Sequence, residues 1–399
     1  MKILRKTKKK RRFQFDGSAE VVVKVQNQDS TNSKKIKIAI VAGEKSGDEL
    51  GGPLMESLKT HFQDITFIGV GGEKMQVQGL LPLFPMDKIS VMGIIEPLLK
   101  LKELLSLRKD LKNFFLKEKP DIFIGIDSPD FNLPLSKFLK KELGLKTVQY
   151  VSPSVWAWRK GRIKSIEKSV DTVITLFPFE EGAYKNSNVR ICYAGHPMAY
   201  RLNQDQDELI KRKEPKSVAL LPGSRKSEIS LLADDMIKAA KELRRNDESY
   251  KFYMPLSEKK HLDLINEPLE DLVKVSFNNS QEVLSNCEIG IITSGTATLE
   301  ASLLRTPCVT LYKTGWLSFR LIKPLLRIDN FSLPNLLAGR ELLPELLQDE
   351  VSVDNIINAI DQISLNGLDF YYKEFRTIHE NLKAGSSETA AKEISHLID

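Results

Sequence analysis

One short run constrains this chain most: DIFIGI at residues 121–126, where a single aspartate is followed by five apolar or glycine residues. A strand so uniformly apolar is buried on both faces, as the strands of a parallel sheet are. Runs of the same kind recur at residues 35–42, 65–70, 147–151, 172–176 and 190–193. Between them the spacing predicts helices over 48–60, 98–117, 133–141, 162–168 and 180–185, the second stopped before Pro120 and the third closed by Gly144. Strand and helix in strict alternation predict a doubly wound parallel sheet.

The alternation lapses over residues 203–216, NQDQDELIKRKEPK, which are polar and carry a proline. A domain junction belongs there. A second series then begins, with strands at 217–221, 251–254, 273–277, 289–292 and 308–312. Its helices fall near 228–244, 281–285, 297–304 and 316–326, and helical segments at 354–363 and 369–397 end the chain. A length of 399 residues suits two domains of ordinary size. The fold class is therefore α/β: two Rossmann-like doubly wound domains facing a cleft, over residues 35–202 and 203–368, with terminal helices over 369–399.

Residues 1–34 lie outside this pattern. The first thirteen, MKILRKTKKKRRF, carry eight Lys or Arg and no acid, and without them the formal charge of +6 becomes about −2. A body so balanced excludes a broad nucleic-acid footprint, so no nucleic-acid partner is expected. The arm reads as disordered and solvated, and its charge also suits anionic lipid. No apolar stretch follows it, which excludes a signal peptide. Cys192, Cys287 and Cys308 are far apart and form no C-x-x-C pair, as in a reducing compartment. No run of 18 apolar residues is present to span a bilayer. The segment 89–107 interleaves Val91, Met92, Ile94, Ile95, Leu98 and Leu99 with lysines. That spacing fits an interfacial helix, but an ordinary helix packed on a sheet is the favoured reading of the spacing alone.

In doubly wound sheets, ligands sit beyond the carboxyl ends of the strands. The segment after the first strand is Ala42-Gly43-Glu44-Lys45-Ser46-Gly47-Asp48. It is neither G-x-G-x-x-G nor a G-K-[ST] loop, so a dinucleotide site lacks its fingerprint. Its glycines allow a tight turn or close approach to a ligand, and Ser46 can serve simply as a helix cap. After DIFIGI stand Asp127 and Asp130. The second suits a cap, whereas the first, at the strand tip, can take a proton from a hydroxyl in the crevice or bond its own loop. Trp156, Trp158 and Arg159 follow the next strand in VSPSVWAWR, where aromatic faces suit sugars or acyl chains and the arginine a phosphate. His196, in Gly195-His196-Pro197, suits a pyrophosphate or a hinge, the hinge being favoured.

In the second half, Gly223, Ser224 and Arg225 open a helix and form a good anion site, with Glu228 in its early turn. Ser294, Gly295 and Thr296 open another helix, with Glu300 about a turn inside, placed to accept bonds from ribose hydroxyls. Asn335 and Arg340, in SLPNLLAGRE, have no core role legible in the sequence. There is no H-E-x-x-H and no cluster of His and Cys, so neither a metal nor a cofactor is expected. Arg225 and helix dipoles would stabilise a leaving diphosphate instead.

Nine of these segments, in order, resemble the lipid-A-disaccharide synthase family: IAIVAGEKSGDELG, GVGGEKM, ISVMGIIE, DIFIGIDSPDFN, YVSPSVWAWR, GHPMA, LLPGSR, SGTATLEA and SLPNLLAGRELLPELLQ. They run from residue 38 to residue 348, and the basic arm is not part of the family pattern. The resemblance implies a glycosyltransferase-B fold whose terminal helices cross back to the first domain. It implies transfer of 2,3-diacylglucosamine from its UDP derivative to 2,3-diacylglucosamine 1-phosphate, forming a β-1,6 disaccharide phosphate and UDP. It makes Asp127 the catalytic base and puts Arg225 at the UDP diphosphate. Gly223, Ser224, Ser294, Gly295, Thr296, Glu300, Asn335 and Arg340 would line the UDP side. Glu44, Ser46, Asp48, Trp156, Arg159 and His196 would line the acceptor side. It implies that the apolar 90–107 segment meets the cytoplasmic face of the inner membrane, where the enzyme would be peripherally bound, and that a homodimer forms. Two rivals stay open: a UDP-sugar epimerase on the same scaffold, needing no lipid acceptor, and a non-enzymatic binding module led by the basic arm.

Overall fold

The computed structural model describes residues 10–14, 20–24, 35–89, 101–157, 160–315, 319 and 329–398. Arg159, the expected helix at 316–326 and the patch residues Val91, Met92, Ile94, Ile95, Leu98 and Leu99 lie outside them. In the arm, β1 (Lys10–Gln14) and β2 (Glu20–Lys24) pair antiparallel, where only residues 21–25 carry a strand-like pattern. The valines at 21–23 give the second strand its β propensity.

The first half is a parallel sheet in the order β5-β4-β3-β6-β7-β8-β9. Its strands are β3 (Ile36–Ala42), β4 (Ile65–Val70), β5 (Leu81–Pro82), β6 (Ile122–Ile126), β7 (Lys146–Tyr150), β8 (Thr172–Thr175) and β9 (Arg190–Tyr193). The double burial expected of DIFIGI is present. Ile122, Ile124 and Ile126 enter the core under helix Lys45–His61, and Phe123 enters the one under Leu101–Glu118 and Pro129–Leu143. In β3, Ile38 and Ile40 face the first core, Ala39 and Val41 the second. Each fully buried Ile of this kind contributes roughly 1.5–3 kcal/mol. The glycines of the first loop serve packing. A Cβ on Gly51 would lie 2.5 Å from Met75 Sδ, and one on Gly52 would lie 3.1 Å from Lys74 Cβ.

The second half is a parallel sheet in the order β12-β11-β10-β13-β14-β15. Its strands are β10 (Glu214–Leu221), β11 (Lys251–Leu256), β12 (Val273–Phe277), β13 (Cys287–Thr293), β14 (Cys308–Tyr312) and β15 (Glu345–Leu347). β10 starts earlier than its apolar run because Glu214 already pairs with Cys287. The register then shifts before Val218, across Pro215, which has no N–H for the ladder. The stretch expected as a turn-rich loop holds a short helix, Leu333–Ala338, with Pro334 in its first turn and Gly339 closing it at φ +66°.

The chain passes between the halves twice. Helix Leu368–Asn381 buries Tyr371, Phe375 and Ile378 in the second core, so the terminal helices do not all belong to the first half. Helix Ser387–Ile398 does, placing Ala390, Ala391 and Ile394 against the first sheet's core. The two passages are bonded together: His196 N donates to Leu382 O at 3.0 Å, Gly385 N to the Tyr200 hydroxyl at 2.7 Å, and Ser386 N to Ala194 O at 2.6 Å. Arg190 grips Glu393 through two nitrogens, at 2.6 and 2.8 Å.

Candidate active site

Helix Lys45–His61 starts just beyond the tip of β3, and Asp127 stands just beyond the tip of β6. Ser46 Oγ donates to Asp127 Oδ2 at 3.1 Å, and Ser128 N donates to Oδ1 at 2.9 Å. The carboxylate is thus oriented from both sides. Its backbone is strained: Asp127 has φ +51° and Ser128 φ +39°, consecutive left-handed residues without a glycine. Two buried amides hold that turn. Asn132 Nδ2 donates to Asp127 O at 3.0 Å and Gln149 Nε2 to the same oxygen at 2.9 Å; Asn132 Nδ2 also reaches Val41 O and Ile126 O at 3.3 Å. The amide oxygens Oδ1 of Asn132 and Oε1 of Gln149 are buried without a partner, so the clamp carries its own cost. Gly43 leaves room for it, since a Cβ there would lie 2.5 Å from Ser128 Oγ.

On the second half, Gly223 bends at φ +106° and Glu228 folds back beneath the loop. Glu228 Oε2 accepts from Ser224 N and Arg225 N at 3.2 Å, and its Oε1 meets Arg225 Nη1 at 2.6 Å. These donors converge at the start of a helix in a cradle that the Glu228 carboxylate itself occupies. The cradle faces Ser294, Gly295 and Thr296 across a cleft of about 580 Å³, whose floor includes Pro255, Asn278 and Thr293. Thr293 Oγ1 is buried there without a hydrogen-bond partner. Lys45, from the other half, also lines this cleft.

Glu44 ties the two sides together. Burial first, then the Asp127 charge, push its carboxyl above the usual range, while Arg225, from the opposite half, pulls it back. Its neighbours agree: Lys45 lines the cleft with Arg225, and Ser46 bonds Asp127.

Other expected site residues are spent elsewhere. Asp48 is buried, and its oxygens accept from Lys74 N and Met75 N at 3.0 Å, so it caps helix Glu73–Val77 instead of facing an acceptor. Asn335 is fully buried: its oxygen accepts from Leu342 N and Leu343 N, and its nitrogen donates to Leu343 O and Glu345 Oε1. It pins its own loop, which corrects the UDP-contact expectation. Arg340 is exposed, pairs with Glu374 at 2.9 Å and lies over the Phe370 ring. Glu300 stands a turn below the cleft, one oxygen taken by Gln281 Nε2 at 2.6 Å, with its carboxyl raised by burial. His196 serves the crossing between halves. Its Nδ1 accepts from Met198 N at 3.2 Å, and burial pushes its pKa down to about 4, so the ring is neutral. Trp156 heads an aromatic row with Phe179, Phe177 and His196, and its side chain bonds the buried Glu180, whose pKa burial raises to about 7.

Asn132, Gln149 and Lys45 are cleft or clamp residues that the motifs alone did not single out. Gln149 had a signal, a lone amide in a buried apolar strand. Lys45 had another, a cation in a helix's first turn against the dipole. Among the described residues no group of His, Cys, Asp and Glu is placed to hold a metal.

Solved structures with this architecture include MurG from Acinetobacter baumannii, with a TM-score of 0.56, 11% identity and coverage of 92% of this chain and 99% of that one. The UDP-GlcNAc 2-epimerase of Neisseria meningitidis, bound to UDP-GlcNAc, gives a TM-score of 0.61 at 13% identity, covering 90% and 99%. Two parallel Rossmann-like domains around one cleft make this chain an α/β protein of the glycosyltransferase-B type. The model of the lipid-A-disaccharide synthetase family matches residues 38–396. The lipid-A-disaccharide synthase of Alcanivorax borkumensis is 40% identical over 91% of this chain and 97% of its own, and that of Pseudoalteromonas translucida 42% identical over 92% and 99%. The chain belongs to the lipid-A-disaccharide synthase family and is a glycosyltransferase.

Proposed function

We propose that this enzyme moves 2,3-diacylglucosamine from UDP to the 6-hydroxyl of 2,3-diacylglucosamine 1-phosphate, with inversion at the anomeric carbon. The observation carrying this reading is the shared gap: a base held by Ser46 and Ser128 on one side, an anion cradle at Gly223–Arg225 on the other. Asp127 takes the hydroxyl proton as the oxygen attacks, the anomeric bond to the diphosphate breaks, and the electron pair leaves on UDP. Arg225 and the donors at Ser294, Gly295 and Thr296 receive the charge developing on that oxygen. Incubating the protein with both acylated sugars and weighing the products tests the reading. A disaccharide phosphate formed together with UDP is the expected result. UDP-sugar turnover without an acceptor would favour the epimerase rival, whose solved examples share the fold at 13% identity.

Acylated substrates favour a peripheral position at the cytoplasmic face of the inner membrane. Among the described residues no helix is long and apolar enough to cross a bilayer. Leu101 and Leu105 are exposed one turn apart at the start of helix Leu101–Glu118, as a surface-resting face would be. Flotation with anionic vesicles tests this, and failure to float at low salt would refute it. Sedimentation of the intact chain tests the homodimer that the family resemblance implies.

A further inference from the structure

We propose that Lys45 is a second cation of the diphosphate site, delivered from the half that does not hold the nucleotide. The inference rests on the UDP reading above and adds a residue to it. Three observations carry it. Lys45 lines the same cleft as Gly223, Ser224, Arg225 and Thr296, although it stands on the opposite domain. It is exposed and makes no ion pair among the described residues. It also occupies the first turn of helix Lys45–His61, where the helix dipole disfavours a cation. A negative group in front of that turn removes the conflict.

Charge balance in the cleft supports the same conclusion. Arg225 is already engaged by Glu228 at 2.6 Å, so part of its charge is answered before any ligand arrives. The diphosphate gains negative charge as the sugar leaves. Lys45 supplies positive charge facing that change, and it binds departing UDP more strongly than the intact donor. Because Lys45 and the Arg225 cradle sit on different halves, a diphosphate held by both also draws the halves together. The long lysine stem reaches across without fixing their spacing.

The test is calorimetric titration of the full-length protein with UDP and, separately, with uridine. Lys45→Ala and Lys45→Gln should weaken UDP about tenfold while leaving uridine affinity unchanged, and Lys45→Arg should retain most of the UDP affinity. In wild type the UDP affinity should fall with added salt more steeply than in Lys45→Ala. Unchanged UDP affinity in both neutral variants overturns the inference, and so does an equal loss of UDP and uridine. Arg225→Ala separates the two levels of failure. If it alone weakens UDP, the inference falls and the nucleotide site stands. If none of the three weakens UDP, the nucleotide site falls with it.

Discussion

Replacing Asn132 by Ala separates the clamp on Asp127 from everything else in the cleft. Asn132 is fully buried and gives one hydrogen bond at 3.0 Å and two at 3.3 Å, all to backbone carbonyls at the strand tips. Loss of such donors in a dry site costs on the order of 2 kcal/mol, partly offset because the orphaned Asn132 Oδ1 disappears too. For domains of this size that is a fall in Tm of about 4–8 °C. The functional loss should be larger. Asp127 and Ser128 hold left-handed backbones that cost of order 1–3 kcal/mol each, and they stay there only while over-determined. With Gln149 as the remaining amide on Asp127 O, the turn relaxes and the carboxylate shifts. A shift of about 1 Å costs roughly a hundredfold in turnover. UDP binding, seated on the other half, should be unchanged. Asn132→Asp keeps the volume and replaces the donor with acceptors, so its turnover should be no better. Differential scanning calorimetry, UDP titration and product mass measured on the same samples check this. Wild-type turnover in a destabilised Asn132→Ala protein would falsify the clamp, and a parallel loss of UDP affinity would show that the whole fold had failed.

Asp127→Asn should lower turnover at least about a thousandfold with UDP affinity intact, measured by product formation and titration. Asn335→Ala breaks four buried hydrogen bonds and should cost about 2–4 kcal/mol in urea unfolding, with no loss of UDP affinity beyond that of the unfolded fraction. Glu180 has its folded pKa raised from 4.5 to about 7 by burial, so below pH 4.5 it is protonated in both states and its contribution is complete. As pH rises toward 7 the unfolded chain ionises first and stability falls by on the order of 3 kcal/mol. Glu180→Gln should flatten that fall in unfolding curves taken from pH 4.5 to 7, and an unaltered slope would refute the assignment.

The parallel strands were legible because burial on two faces leaves an unmistakable record: Ile122, Phe123, Ile124 and Ile126 admit few other placements. The turn at Gly223–Arg225 was legible as the start of a helix, since small residues after a strand announce one. What could not be read was where side chains spend their hydrogen bonds. Asn335 looks like a ligand contact in SLPNLLAGRE, yet four backbone and side-chain partners 7 to 10 residues away take up its amide. Asp48 looks like a signature-loop acid, yet its partners Lys74 and Met75 come from a helix too short to stand out in the sequence. The left-handed turn at Asp127 carries no glycine to announce it, and its cause lies in Asn132 and Gln149, one of them on a separate strand.

The return of helix Ser387–Ile398 to the first sheet has a consequence for how the protein is made. Ala390, Ala391 and Ile394 complete a core whose other members begin at Ile36. A ribosome delivers those members first and the completing helix last of all. The leading half must therefore wait, with an apolar face uncovered, while the trailing half is synthesised and can already close its own core. In a nascent chain stalled before residue 387, the later-made domain is the one that can finish folding first.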